Sequence, residues 1–210
     1  MPEGHEAETS CIQRNSPGFP TLVVIRGNSG SGKTTTAREV RRRYGRGCAL
    51  IEQDYLRRII LREHDSDRIG PVAPAFIAAT ARTALDLGYH VVLEGILHTA
   101  RYADVLHGLI DQHPGPSHVF YLDVDFDETV RRHHTRAEPI PVTAEQMREW
   151  YSPRDLLGTA GEQVIAQDTT FDDTVSTILR NSGLTHTPPR TPCPVRCRHC
   201  ADDPPTTVER

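Results

Sequence analysis

The chain has 210 residues, 37% of them hydrophobic, and a formal net charge of −4. That length suggests one domain with tails, and so small a charge gives no general attraction to nucleic acid or to a membrane surface. No apolar run approaches the roughly 20 residues of a membrane span, the acidic start Met1–Glu8 lacks an apolar signal core, and five cysteines, three of them crowded between Cys193 and Cys200, do not read as a secreted disulfide framework, so a cytoplasmic protein with reduced thiols is expected.

Residues 1–19 are polar with Pro and Gly and read as a disordered tail. Thr21–Ile25 is then a short β-branched run, as a buried parallel strand should be. It leads into Gly27-Asn28-Ser29-Gly30-Ser31-Gly32-Lys33-Thr34, which matches the phosphate-cradling pattern G-x-x-x-x-G-K-S/T. A helix follows, with Ala37, Val40 and Tyr44 on one face and arginines on the other. Strand, glycine loop and helix stand in the order the motif requires. Glycines let successive N–H groups turn towards a polyphosphate, and the helix aims its positive end at the same anion. Lys33 would reach the β- and γ-phosphates, and the Thr34 hydroxyl would ligate Mg²⁺.

Cys48–Ile51 reads as a second buried strand, with Cys48 as a small core residue and Glu52-Gln53-Asp54 at its carboxyl end. Tyr55–Glu63 is a helix candidate, with Leu56, Ile59 and Ile60 at i, i+3 and i+4. A second helix is expected over Pro74–Leu87, with Ile77, Ala81 and Ala84 inward and Gly88 as its stop. His90–Gly95 is a third strand that ends in an acid and a glycine. Thr99 can cap the next helix, whose stripe Tyr102, Val105, Leu106, Leu109 and Ile110 is the cleanest in the chain. His118–Val124 makes a fourth strand, and Asp127 can cap the short basic helix after it. Thr143 and Gln146 form a capping box ahead of Met147 and Trp150. Gln163–Ala166 is a fifth strand. Asp172–Arg180 is a last helix, with Val175, Ile178 and Leu179 inward. Residues 184–210 are rich in Pro and Thr and read as a tail. Its Cys193, Cys197, His199 and Cys200 carry a weak metal-binding spacing.

Strands alternating with helices make a parallel sheet covered on both faces, here spanning residues 20–183. Ligands in such sheets bind outside the carboxyl ends of the strands, so the Gly27–Thr34 loop, Asp54, Glu94 and the segment after Asp123 share one rim. Phosphoryl transfer needs a cradle, Mg²⁺, a group that deprotonates or orients the acceptor, and neutralising cations. Asp54, one strand from the loop, is the candidate base; its competing role is a helix cap. Arg57 and Arg58, one turn on, face either an anionic acceptor or solvent. Glu94 stands where an acid holding a magnesium-bound water or the substrate would stand, with Asp123 and Asp125 as rivals. Arg132 and Arg136, at i and i+4, lie on one face and would supply the cations from a flap, with Arg131 turned away. His133 and His134 read as surface residues.

These segments, together with Val91-Val92-Leu93-Glu94-Gly95 and Glu128–Arg136, resemble the small P-loop kinases, in the group that contains zeta toxin, chloramphenicol phosphotransferase and the polynucleotide 5′-kinase domain. The resemblance covers about residues 20–182. It implies an α/β P-loop NTPase fold with about five parallel strands and a small basic lid. It also implies ATP and Mg²⁺, an acceptor-activating acid at Asp54 and a lid arginine at Arg132 or Arg136. Some relatives carry paired acids where this chain has Gln53-Asp54, so Asp54 would act alone. The leading expectation is a kinase of a small hydroxyl-bearing molecule such as a nucleoside, sugar or antibiotic. A kinase of nucleic-acid 5′ ends and a nucleotide-hydrolysing switch or ATPase module are the alternatives.

Overall fold

The strands form where β-branched and apolar residues run together: β1 (Leu22–Gly27), β2 (Cys48–Glu52), β3 (His90–Gly95), β4 (Ser117–Asp123) and β5 (Gln163–Ala166). They build one parallel sheet in the order β2-β3-β1-β4-β5. This is a computed structural model, and it describes residues 18–63, 72–135 and 142–186. The helices are α1 (Lys33–Tyr44), α2 (Val72–Asp86), α3 (Thr99–Gln112), α4 (Phe126–His134), α5 (Ala144–Trp150) and α6 (Phe171–Asn181), with a single π-helical turn at Tyr55–Ile60.

Alternation along β1 shows how both sheet faces are buried. Leu22 and Val24 pack with Ile77, Ala81, Tyr102, Leu106 and Leu109 of α2 and α3. Val23 and Ile25 pack with Ala37 and Val40 of α1 and with Val175, Ile178 and Leu179 of α6. Leu184, which the composition assigns to the tail, is buried in the second cluster, next to the last helix. Cys48 is also inside, and burial pushes its thiol up to about 12. The capping box at Thr143 and Gln146 is formed with both of its bonds.

Local readings needed correction in several places. Asp125 caps α4, because its extended backbone lets its side chain accept from Glu128 N; Asp127 falls inside the first turn. α3 is entered through His98, and the Thr99 hydroxyl is bonded to Asp155 instead of capping. His133 is buried, with Nε2 against the Val142 carbonyl at 3.0 Å. The stretch read as a helix over Tyr55–Glu63 is the π-helical turn, and its Ile59 and Ile60 are 60% and 50% exposed while Arg57 is buried. The cysteine-rich stretch around Cys193 and Cys200 lies outside the described residues.

Arg26, the residue before the glycine loop, is 0% exposed. Its guanidinium donates to the Leu97 carbonyl at 2.9 and 3.3 Å, to Asp155 at 2.9 Å and to Glu162 at 3.3 Å. Asp155 also takes the Thr99 N–H and hydroxyl. One buried cation thus fastens β1, the β3–α3 connection and the segment 151–162 together. Removing one member of a buried pair leaves the other charge uncompensated, which costs about 3–5 kcal/mol. Arg26→Met is therefore expected to lower Tm by about 6–20 °C at this chain length, as read by thermal denaturation. An unchanged Tm would mean that the network contributes nothing.

Candidate active site

β1 delivers the chain to Gly27 and α1 starts at Lys33. Gly32, between them, has φ +94°, and a Cβ there would meet nothing within 4 Å. The space beside Gly32 is open, and glycine takes this backbone at little cost. α1 has neither a side-chain N-cap bond nor an acid in its first turn. Its leading N–H groups and the positive end of its dipole are left for an anion. Gly30 is a place of close approach: a Cβ would lie 2.6 Å from the Thr129 carbonyl oxygen, so α4 is stacked directly on the loop. Ser31 Oγ is buried with no hydrogen-bond partner among the described residues, and a phosphate oxygen would satisfy it. Ser29 is half-buried at the turn of the loop.

Lys33 is 9% exposed, and its ammonium donates to the Asn28 carbonyl at 3.2 Å, curled over its own loop. Asn28 itself has a second task. Its amide donates to the Ser152 carbonyl at 2.9 Å and accepts from Ser152 N at 3.0 Å, with the Tyr121 hydroxyl alongside at 3.3 Å. Only its main chain is left to the loop. Asn28 and Arg26 both anchor the segment 151–162, to which the sequence reading gave no role. A charged residue ending a fully apolar strand was the available signal for Arg26. Nothing local pointed to its partners.

The strand order decides which acid stands beside the loop. β3 lies directly next to β1, with Glu94 paired in register with Ile25. The Thr34 hydroxyl donates to Glu94 Oε2 at 3.1 Å. Glu94 is 3% exposed, and burial pushes its carboxyl above the ordinary carboxylate range, with the Lys33 ammonium and the Thr34 bond pulling the other way. A hydroxyl and a carboxylate are hard oxygen donors of the kind Mg²⁺ takes, so this pair fits that ion.

β2 is the sheet edge, with β3 between it and β1. Asp54 therefore stands one strand further from the loop than Glu94. It makes no capping bond to the turn that follows it, so the capping role weighed above is not one it performs. Its carboxylate is 63% exposed and lies 3.6 Å from Arg57 Nη2 and 3.5 Å from Arg58 Nε. Glu52, two residues before Asp54, is paired in parallel register with Glu94, which puts Asp54 and Glu94 at the carboxyl ends of adjacent strands. Gln53 beside it is structural: it accepts from Leu97 N at 3.1 Å and packs so closely on Gly95 that a Cβ there would lie 2.3 Å from its amide oxygen.

On the other side of the loop, Arg132 donates to Glu128 at 2.6 Å, to the Ser31 carbonyl at 3.2 Å and to the Gln167 carbonyl at 2.9 Å. Arg131 shares Glu128, and the two guanidiniums hold that carboxyl down at about 2. Among the rival acids, Asp125 is occupied by its cap and by Gln167, and Asp123 faces Arg154 at 3.8 Å. Arg136 lies outside the described residues. Loop, Lys33, Thr34, Glu94 and Arg132 are thus brought together, with Asp54 and Arg57 after the edge strand β2.

A strand, an open glycine nest, a helix and a carboxylate on the adjacent parallel strand define a P-loop nucleotide-binding protein. The chain belongs to a family described as AAA domain, whose model matches residues 22–157. Comparison with curated proteins gives no match. Among solved structures it is similar to a gluconokinase from Sinorhizobium meliloti 1021, at 18% identity over 80% of this chain and 97% of that one, with a TM-score of 0.57. It is similar to the Mycobacterium tuberculosis APS kinase in complex with AMPPNP and APS, at 17% identity over 81% and 99%, TM-score 0.63. A sugar kinase from Janibacter sp. HTCC2649 matches at 21% identity over 81% and 96%, TM-score 0.58. The fold is that of the small P-loop kinases. No helix of the described residues is long and apolar enough to cross a membrane.

Proposed function

We propose that this protein is an ATP-dependent kinase that moves the γ-phosphate to a hydroxyl of a small molecule in the cytoplasm. The observation that carries the reading is the pair of acids on one rim. Glu94 is buried against Thr34 beside the phosphate nest, and Asp54 is exposed and free of any capping bond. An ATPase needs only the first of these acids; a transferase also needs a base for the acceptor.

In this scheme the open loop and the start of α1 hold the phosphates, and Lys33 leaves the Asn28 carbonyl to meet the β- and γ-oxygens. Thr34 and Glu94 would hold Mg²⁺, which neutralises phosphate charge when bound. Asp54 accepts the hydroxyl proton, Arg57 contacts the acceptor, and Arg132, with Arg136 from the flap, faces the charge that develops in transfer. The similarity to gluconokinase and APS kinase structures supports a small acceptor over a nucleic-acid end.

Incubating the full chain with ATP and Mg²⁺ against panels of sugars, sugar acids, nucleosides and aminoglycoside-like compounds tests this. ADP is expected to accumulate only when an acceptor is present, at least about tenfold above the acceptor-free rate. Hydrolysis at one rate with or without every acceptor would favour the ATPase alternative and overturn the reading.

A further inference from the structure

The π-helical turn at Tyr55–Ile60 is wound the wrong way round for packing. Of its apolar residues Leu56 packs partly against the core while Ile59 and Ile60 are exposed, and Arg57 is its buried residue. Tyr55, Ile59 and Ile60 are each at least half exposed. Exposing isoleucines forfeits hydrophobic stabilisation, and burying a guanidinium costs free energy unless something pairs with it. Folding alone favours the opposite arrangement. Rule-breaking of this kind gathers at functional sites, as do π-helical turns.

What the turn encloses is also incomplete. Among the described residues, buried polar atoms without a hydrogen-bond partner include Arg57 Nε, Arg58 Nε, Glu63 Oε2 and Tyr102 Oη. Tyr102 comes from α3, where its position in the apolar stripe marks it as a core residue. It is buried, and burial pushes its hydroxyl above the usual phenol range, opposed by a hydrogen-bonding contact with the Gln53 side chain and then by the charge of Arg57. Arg57 and Arg58 share one acid, Asp54, at salt-bridge distance but beyond a good hydrogen bond. From Asp54 to Glu63 the segment carries three arginines against two acids. Two guanidiniums with unused Nε donors, next to the candidate base and with the Tyr102 phenol near by, suit an anionic oxygen group.

We infer that the phosphate acceptor carries a carboxylate or phosphate group, and that Arg57, Arg58 and Tyr102 bind it while Asp54 faces its hydroxyl. This deepens the kinase reading and rests on it. The π-helical turn shifts as the anion enters, and the buried donors gain the partner they lack. Tyr102 is then a specificity residue in contact with substrate, not only a member of the core.

The test uses the full chain with Mg²⁺ and AMPPNP already bound, so that the glycine loop is filled and cannot itself take the anion. Matched pairs are titrated by calorimetry: D-gluconate against D-glucose, and a nucleoside monophosphate against its nucleoside. The charged member of at least one pair is expected to bind, and its neutral partner to bind about tenfold to a hundredfold more weakly. Which pair responds separates a carboxylate from a phosphate. Arg57→Gln should erase that preference. Tyr102→Phe, which preserves the packing of α3, should weaken the charged member about threefold to tenfold and leave Tm in place. Equal binding of charged and neutral members, no binding of any charged member, or a preference that survives in Arg57→Gln overturns the inference. Failure of AMPPNP itself to bind would instead remove the kinase reading beneath it.

Discussion

Lys33→Met is expected to lower phosphoryl transfer by about 10³ or more while the protein stays folded. The ammonium donates to the Asn28 carbonyl at the glycine loop, and its charge acts on Glu94. Methionine keeps the apolar stem and removes the ammonium. The buried Glu94 carboxyl, already above its ordinary range because of burial, then loses the cation that holds it down. It takes up a proton and still has the Thr34 hydroxyl beside it, so the fold survives. The sign of the stability effect follows. A carboxyl whose folded pKa is raised above its unfolded value of 4.5 costs nothing below that pH and costs progressively more as pH rises through the folded pKa. The Tm deficit of the variant should thus be smallest near pH 4.5 and widen above it. Circular dichroism and turnover measured on the same sample separate the two effects. Undiminished transfer in a folded Lys33→Met protein would remove the catalytic role of the loop.

Much of this site could be read from the chain because its grammar is local. Eight consecutive residues set the phosphate loop, and each strand announces itself as a short apolar run. The capping box at Thr143 needs only its own four residues, and the stripe from Tyr102 to Ile110 follows from helical spacing. What stayed hidden is non-local. Strand order cannot be counted along the chain, and it is the order β2-β3-β1-β4-β5 that seats Glu94 next to the loop and moves Asp54 one place out. Arg26 drew no reading from the chain, because its acids come 129 and 136 residues later. The inverted turn at Arg57 misled for a further reason. Helical spacing predicts which residues should be inside if packing alone decides, and there packing does not decide.

Asp54→Asn is expected to lower kcat by about 10²–10⁴ if the carboxylate takes the acceptor proton, with ATP affinity unchanged. Stability should hardly move. The carboxylate is 63% exposed and its two ion pairs are long, and exposed pairs contribute about 0–1 kcal/mol. It makes no capping bond, so asparagine has none to disturb. The harder question is whether Asp54 or Glu94 is the base, since both follow adjacent parallel strands at their carboxyl ends. Magnesium dependence separates them. Glu94 is bonded to Thr34 and suited to the ion, so Glu94→Gln should raise the Mg²⁺ concentration needed for half-maximal activity. Asp54→Asn, with its side chain on the outer strand, should lower the plateau and leave that concentration where it was. Reversed results, with Asp54→Asn shifting the magnesium requirement and Glu94→Gln lowering only the plateau, would exchange the two roles. A full-rate Asp54→Asn protein would leave the outer acid no part in the chemistry.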